Sequence, residues 1–303
     1  MVFLYNIFIA IYSTGIRVSS LWNKKAQKWI EGRKDVFQQL SSEIDSSDKI
    51  IWVHASSTGE LEQGKPIIEK LKYNYPSYKI LLTVFSPSAY NPAKNYPFAD
   101  IVCYLPLDTR KNAKRFIKIV KPEAVFFIKY EYWYHFLSLT AFYHIPLFLV
   151  SAVFRKNQLF FKPYGVFYFR MLFFFRQIFV QDKASASLLS EKGVTNFSVS
   201  GDTRYDRVKE IASNFTELPF IREFINNSPA LIAGSTWKED EECLSLIAKT
   251  TGTKIIIAPH EINEKRILEI EYLFTNAIRY SQLTTTSINN SNVLIIDKVA
   301  DKK

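Results

Sequence analysis

Two glutamates that follow apolar runs are the first candidates for chemistry in this sequence. Glu60 ends the motif WVHASSTGE, and Glu131 lies in the motif KYEYWYHF. A carboxylate in such a position can take a proton from a substrate hydroxyl. Each glutamate also has a structural alternative, because a carboxylate at a helix start caps that helix and matches its dipole.

Alternating strand and helix patterns predict where these glutamates lie. The expected strands span residues 50–54, 79–85, 101–105, 124–128, 145–150 and 178–181. This alternation is typical of parallel βαβ units, which bind ligands at the carboxyl ends of their strands. We therefore expect Glu60 and Glu131 at one edge of the sheet, with Ser56 and Gly59 in the turn beside Glu60.

The aromatic residues around Glu131 allow two interpretations. They could form an apolar wall for the face of a sugar or for acyl chains, or they could belong to the core. For Trp133 the sequence leaves both interpretations open.

Charge and motif content narrow the class of protein. The 303-residue chain has a formal net charge of +10, which favours a polyanionic partner such as an anionic membrane surface or a phosphorylated substrate. Nucleic acid ranks last, because the basic residues are dispersed over α/β elements and no recognised nucleic-acid module is present. The sequence has no GxGxxG, Walker A or zinc-ligand pattern, so it predicts no nicotinamide, flavin or metal cofactor.

The N-terminus predicts a membrane contact. Residues 1–16 carry no charged side chain, and a basic cluster follows, consisting of Arg17, Lys24, Lys25, Lys28, Arg33 and Lys34. The apolar run is shorter than the roughly 20 residues that span a bilayer. The pattern therefore predicts an anchor or a helix lying in the cytoplasmic face of a membrane, with the cluster facing anionic headgroups. The alternative is an ordinary buried first helix.

Arg204 is the candidate cation of the second half. It lies in GDTRYDR, which we expect to join two domains, and its planar fork could grip a phosphate or a sugar carboxylate. The alternative is a surface ion pair with Asp202 or Asp206.

The remaining residues predict part of a second domain. Strands are expected over residues 230–233, 254–258 and 293–296. Ser235 and Thr236 form a turn before a helix that could accept a phosphate, and His260 follows the next strand as a possible phosphate ligand. Only about 100 residues follow the junction, too few for a complete doubly wound domain, so we expect the chain to be cut short. The expected segments are 1–44 (membrane-associated helices), 45–200 (first domain) and 201–303 (partial second domain).

Taken together, the motifs resemble those of the bacterial 3-deoxy-D-manno-octulosonic acid (Kdo) transferases of lipopolysaccharide synthesis. The resemblance rests on the order and spacing of LWNKKAQKWIEGR, WVHASSTGE, KYEYWYHF, GDTRYDRV and GSTWKEDEE. It implies an α/β fold of the GT-B type, with two Rossmann-like domains facing a cleft and the second domain incomplete. The implied partners are a lipid A precursor (lipid IVA) for the first domain, CMP-Kdo for the second, and the cytoplasmic face of the inner membrane.

The resemblance also implies residue roles. The general base falls on Glu60, and the residues that stabilise the transition state fall on Glu131 and Arg204. The first CMP-contacting segment falls on Pro259, His260 and Glu261, where the family more often has Pro-Arg-His. The family needs no metal, and its later CMP-binding segments have no counterpart here. Two alternatives stay open: another GT-B nucleotide-sugar transferase, and a truncated, inactive remnant that binds anionic lipid.

Overall fold

The chain forms two compact units. The computed structural model describes residues 1–129, 131–213, 217–283 and 291–298, and the units are Met1–Asn214 and Phe215–Lys303. The division lies beyond the expected junction at residue 201, because the helix Thr203–Ser213 packs on the helix Thr58–Asn74 of the first unit. The N-terminal helices also belong to the first unit rather than forming a segment of their own.

The first unit is built on a parallel sheet of seven strands in the order β3-β2-β1-β4-β5-β6-β7. Its strands are near-continuous apolar runs, as expected for a parallel sheet that is covered on both faces. Six strands lie where the sequence predicts them, within two residues at each end; the short, partly exposed seventh strand is not identified by the sequence pattern. The strands are β1 (Ile50–His54), β2 (Lys79–Val84), β3 (Ile101–Tyr104), β4 (Ala124–Ile128), β5 (Leu147–Ala152), β6 (Gln177–Val180) and β7 (Phe197–Val199).

Helices connect these strands, and several of them begin at a side-chain cap. In the helix that follows β3, the hydroxyl of Thr109 accepts the N–H of Asn112, and an apolar stripe at helical spacing packs on the sheet. The helices of this unit are α1 (Val2–Ser19), α2 (Lys24–Glu31), α3 (Val36–Glu43), α4 (Thr58–Asn74), α5 (Pro87–Lys94), α6 (Arg110–Val120), α7 (Tyr134–Phe142), α8 (Val166–Met171), α9 (Lys183–Glu191) and α10 (Thr203–Ser213).

The core of the first unit is centred on Trp52 of β1. Its ring is fully buried and packs against the rings of Phe116, Phe127 and Phe136. Its indole Nε1 donates to the hydroxyl of Thr83 at 2.8 Å, so the polar atom is satisfied inside the core. Helices α6 and α7, which carry Phe116 and Phe136, are thereby packed against β1, the strand that leads to Glu60.

Helix α1 packs against the rest of the first unit through one narrow face only. Tyr5, Ile9 and Ser13 are buried, whereas Phe3 and Phe8 on the other side are 74% and 59% exposed. By length and composition α1 is apolar enough to cross a membrane, and it is the one such helix among the described residues. Such a helix is weak evidence of a membrane contact when taken alone.

Arg33 does not belong to the basic surface cluster in which the sequence places it. Its guanidinium stacks on Trp29 and donates to the backbone carbonyls of Trp29, Phe85 and Leu105. Burial lowers the pKa of Arg33 to about 9. This side chain joins α2 to the ends of β2 and β3, and the other basic residues of the cluster are exposed.

The second unit contains a smaller parallel sheet in the order β10-β11-β9-β8. Its core is formed mainly by isoleucines, among them Ile255, Ile257, Ile267 and Ile270. Strand β10 is not identified by the sequence pattern, because it has only three half-buried residues. The elements are α11 (Ile221–Ile225), β8 (Ala230–Thr236), α12 (Lys238–Thr251), β9 (Lys254–Pro259), α13 (Glu264–Leu273), β10 (Ala277–Arg279) and β11 (Val293–Ile295).

Candidate active site

The two glutamates lie at the point where the strand order of the first sheet reverses. β1 and β4 are neighbours in the sheet, with His54 of β1 opposite Phe127 of β4. The chain continues outward on one side of β1 to β2 and β3, and on the other side to β4 and the later strands. Such a switch point leaves a crevice at the carboxyl ends of the strands, where doubly wound folds bind ligands. Glu60 follows β1 and Glu131 follows β4.

Glu60 takes part in a capping box at the start of α4. Its Oε2 accepts the backbone N–H of Ser57 at 3.0 Å, and the hydroxyl of Ser57 accepts the N–H of Glu60 at 3.4 Å. The structural alternative for Glu60 is therefore present in the molecule. A capping carboxylate keeps acceptor capacity on its other oxygen, so the cap and a role in proton transfer are compatible.

Glu131 is held by His54 of the neighbouring strand β1 and by Trp133, two residues further along its own segment. It is buried, and its Oε2 accepts the indole N–H of Trp133 at 2.6 Å and lies 3.2 Å from His54 Nε2. The other imidazole nitrogen of His54, Nδ1, lies 2.8 Å from the hydroxyl of Thr83 on β2. The chain Thr83–His54–Glu131 thus runs across three adjacent strands and fixes the second carboxylate.

The two carboxyl groups have different electrostatic environments. Burial and the nearby charge of Glu131 raise the pKa of Glu60 above its usual value. Burial also acts to raise the pKa of Glu131, but hydrogen bonds from His54, Ser56 and Trp133 outweigh it and hold that pKa below its usual value. Two neighbouring carboxyl groups whose pKa values are moved apart can divide their roles, one as a proton acceptor and one as a fixed anion.

Ser56 lies between β1 and α4, and Gly59 lies in the first turn of α4. The hydroxyl of Ser56 is 3.2 Å from His54 Nε2, and its carbonyl accepts the N–H of Ser86 at 2.7 Å. Gly59 is exposed on the first turn of α4, and a Cβ placed there would meet no atom within 4 Å. The glycine therefore leaves open space beside Glu60 that no packing or backbone requirement explains.

Arg204 lies on the first turn of α10 and pairs with Asp202. Its Nε and Nη2 donate to Asp202 Oδ2 at 2.9 and 2.6 Å, and its side chain is 62% exposed. Of the two ion pairs that the sequence leaves open, the structure has the one with Asp202. The cation is in the same unit as the two glutamates.

A buried polar group connects the helices that carry Glu60 and Arg204. The hydroxyl of Ser151 donates to Gln63 of α4 at 3.1 Å and lies 3.3 Å from the hydroxyl of Thr203, which begins α10. Ser151 has a φ of 58°, and Lys129, at the end of the neighbouring strand, has a φ of 70°. Left-handed backbone at non-glycine residues costs about 1–3 kcal/mol and is found preferentially at functional sites.

The predicted donor residues lie together in the second unit. Ser235 and Thr236 end β8, Pro259 ends β9, and the N–H of His260 donates to the carbonyl of Thr236 at 3.0 Å. Ser235, His260 and Glu261 are exposed, and Ser235 has a φ of 56°.

Contacts inside this second group restrict what its side chains can do. The Thr236 hydroxyl donates to the fully buried Glu241 at 2.8 Å, and Glu241 is paired with Arg266. The ring of Trp237 stacks on that of His260 with 4.5 Å between centroids. Ser235 and the backbone are therefore better placed than the Thr236 hydroxyl to meet a ligand.

Sequence reasoning misses His54 and does not decide the role of Trp133. Both contact Glu131. Trp133 is only two residues from it, but the contact of His54 depends on β1 and β4 being neighbours, and these strands are about 70 residues apart in the chain. A polar residue at the last position of an otherwise apolar strand is the signal that could have identified His54.

The fold and the site define an α/β protein of the GT-B type with parallel sheets. Solved structures with this fold include the UDP-GlcNAc 2-epimerase of Neisseria meningitidis bound to UDP-GlcNAc, with a TM-score of 0.54 and 15% identity over 83% of this chain and 72% of that one. A second is the UDP-GlcNAc 2-epimerase of Methanocaldococcus jannaschii, with a TM-score of 0.52 and 16% identity over 84% and 74%. At these identities the likeness concerns the fold alone.

The chain belongs to the 3-deoxy-D-manno-octulosonic-acid transferase (kdotransferase) family, whose model matches residues 28–207. The matched range contains Glu60, Glu131 and Arg204. The chain is 24% identical to the 3-deoxy-D-manno-octulosonic acid transferase of Haemophilus influenzae over 81% of this chain and 60% of that protein. A shorter match to the Aquifex aeolicus enzyme is 39% identical over 34% of this chain and 28% of that protein. The chain thus spans less than two thirds of the length of these curated relatives.

Proposed function

We propose that this protein is an inverting glycosyltransferase that moves Kdo from CMP-Kdo to a lipid A precursor, lipid IVA, in lipopolysaccharide synthesis. The observation that carries the proposal is the pair formed by Glu60 and Glu131 at the switch point of the first sheet. Family membership supports the sugar, and the half-buried, accessible Glu60 supports transfer to a hydroxyl acceptor.

In this proposal Glu60 is the general base. Its carboxylate takes the proton of the acceptor hydroxyl while that oxygen attacks the anomeric carbon of Kdo. The bond from that carbon to the CMP phosphate breaks at the same time, and the electron pair leaves with CMP. A raised pKa suits this role, because a carboxylate that holds a proton more tightly is a stronger base near neutral pH.

Glu131 and Arg204 would stabilise charge in the transition state. Glu131 is kept ionised by its hydrogen bonds, so it offers a fixed negative charge to a sugar with oxocarbenium character. Arg204 would exchange part of its contact with Asp202 for the donor carboxylate or the departing phosphate, which its exposure permits.

The second unit would bind the donor through Ser235, Thr236, Pro259, His260 and Glu261. Ser235 and the backbone before α12 would receive the phosphate. The exposed His260 would contact the nucleotide, and its stacking on Trp237 fixes its ring.

We place the protein at the cytoplasmic face of the inner membrane. One side of α1 exposes large apolar side chains. Five basic side chains in the last turn of α1 and in the segment after it are also exposed, namely Arg17, Lys24, Lys25, Lys28 and Lys34. Anionic headgroups attract such residues with about 1 kcal/mol each. Binding to anionic vesicles, and its weakening by salt, tests this placement.

A donor panel tests the reaction. The 303-residue chain in detergent, given lipid IVA, should release CMP from CMP-Kdo and no nucleotide from UDP-sugars. Turnover of a UDP-sugar without turnover of CMP-Kdo would favour another GT-B transferase. Absence of turnover together with absence of calorimetric CMP binding would favour a remnant that binds anionic lipid only.

A further inference from the structure

Helix α1 makes polar contacts at the start of α7, the helix that follows Glu131. The Tyr5 hydroxyl donates to Asp108 Oδ2 and accepts the backbone N–H of Tyr134 at 3.3 Å. One residue further along α1, the side-chain oxygen of Asn6 lies 2.6 Å from His135 Nε2. The contacts with Tyr134 and His135 join residues 129 positions apart in the chain, and the contact with Asp108 joins residues 103 positions apart.

Asp108 provides the cap that α7 lacks. The first helical N–H groups have no partner inside a helix, and the N-cap residue Trp133 offers no side-chain acceptor. Asp108 is 1% exposed, and its two oxygens accept the N–H groups of His135 and Phe136, each at 3.1 Å. Together with Tyr5 it satisfies the N–H groups of the first three residues of α7.

This cap lies next to the candidate active site. Trp133 directly precedes α7, its ring stacks on Phe85 with 4.7 Å between centroids, and its indole donates to Glu131. A shift in the first turn of α7 would move Trp133 and, through its indole, the carboxylate. A catalytic group loses its productive geometry when it shifts by about 0.5 Å, so contacts that hold Glu131 in place affect the rate of the reaction.

We propose that Tyr5 and Asp108 are positioning residues that fix the first turn of α7 and thereby hold Glu131 in place. Helix α1 then belongs to the support of the active site and does more than bring the protein to a membrane. The inference rests on the proposed function only in taking Glu131 as part of the reaction centre.

The main test replaces the Tyr5 hydroxyl while keeping its ring. Tyr5→Phe removes both contacts of the hydroxyl oxygen. Tyr78→Phe is the matched control, because the Tyr78 hydroxyl donates to Glu123 at 2.7 Å. These two residues directly precede β2 and β4, at the edge of the sheet opposite the candidate active site. Transfer is measured with a deacylated, water-soluble acceptor in detergent, so that membrane binding is not required. We expect Tyr5→Phe to lower kcat by about tenfold with little change in acceptor KM, and Tyr78→Phe to change neither.

A second measurement does not depend on activity. The indole N–H resonance of Trp133 should shift in Tyr5→Phe and in Asp108→Asn, and stay in place in Tyr78→Phe. An unchanged indole resonance in a folded Tyr5→Phe protein, or unchanged kcat in an active one, would overturn the proposal. If the wild-type protein transfers no sugar, the proposed function fails while the indole resonance still decides this inference.

Discussion

His54 Nε2 lies 3.2 Å from Glu131 Oε2, and this contact joins the ends of two strands that are neighbours in space but distant in sequence. Because Glu131 is held ionised by this contact and by Trp133, its charge acts on Glu60 across the crevice. The two glutamates therefore form one electrostatic unit, in which a change at one alters the titration of the other.

Glu131→Gln should shift the titration of Glu60. The negative charge of Glu131 helps to raise the pKa of Glu60, so removing that charge lowers it. The base acts only when it is ionised, so activity rises with pH through the pKa of Glu60. The acid limb of the pH–rate profile should therefore move to lower pH in Glu131→Gln, in whatever activity that variant keeps. Carbon-13 NMR of the Glu60 carboxyl checks the same direction without turnover. A pKa of Glu60 that is unchanged or higher in Glu131→Gln would show that the two groups are not coupled as described.

The sequence predicts well at which edge of the sheet the two glutamates lie, and it predicts poorly which side chains contact them. Glu60 and Glu131 could be placed on one edge because parallel strands put their carboxyl ends together, whatever the strand order. The contact of Glu131 with His54 requires knowledge that β1 lies beside β4, which the local pattern of neither strand contains.

Short edge strands and helix packing limit prediction in a similar way. Strand β7 has three partly exposed residues, so its pattern resembles a connection between domains. The sequence places the junction in GDTRYDR, from residue 201, but α10 packs on α4 and belongs to the first unit. Arg33 likewise resembles a surface cation in sequence, and only the fold surrounds it with aromatic rings and carbonyls.

Gly59→Ala tests the open space beside Glu60. A Cβ at this exposed helical position meets no protein atom, so folding should be unaffected or stabilised by up to about 1 kcal/mol. If the acceptor approaches Glu60 through this space, the methyl group will raise the acceptor KM. Gly15→Ala is the matched control, since Gly15 is also helical and open. Equal kinetics for the two variants would mean that the acceptor does not pass Gly59.

Arg204→Gln should reduce the rate with little effect on stability. Arg204 is 62% exposed in its ion pair with Asp202, and an exposed cation adds about 1 kcal/mol or less to such a pair, so thermal unfolding should barely change. Loss of a cation from the departing phosphate should lower kcat by about a hundredfold. Lys209→Gln, an exposed position on the same helix, controls for the change in net charge. A fall in stability with unchanged kcat would assign Arg204 to structure alone.

The most direct test of the account is the rate of CMP release by Glu60→Gln with CMP-Kdo and lipid IVA. Glutamine can keep the capping box with Ser57, so the fold should be retained while the proton acceptor is lost. Glu43→Gln, on α3, is the control for removal of a carboxylate. We predict that Glu60→Gln reduces kcat by a hundredfold or more, within the range of about 10²–10⁴ for general bases, and that Glu43→Gln does not. Wild-type turnover by a folded Glu60→Gln protein would contradict the assignment of Glu60 as the base.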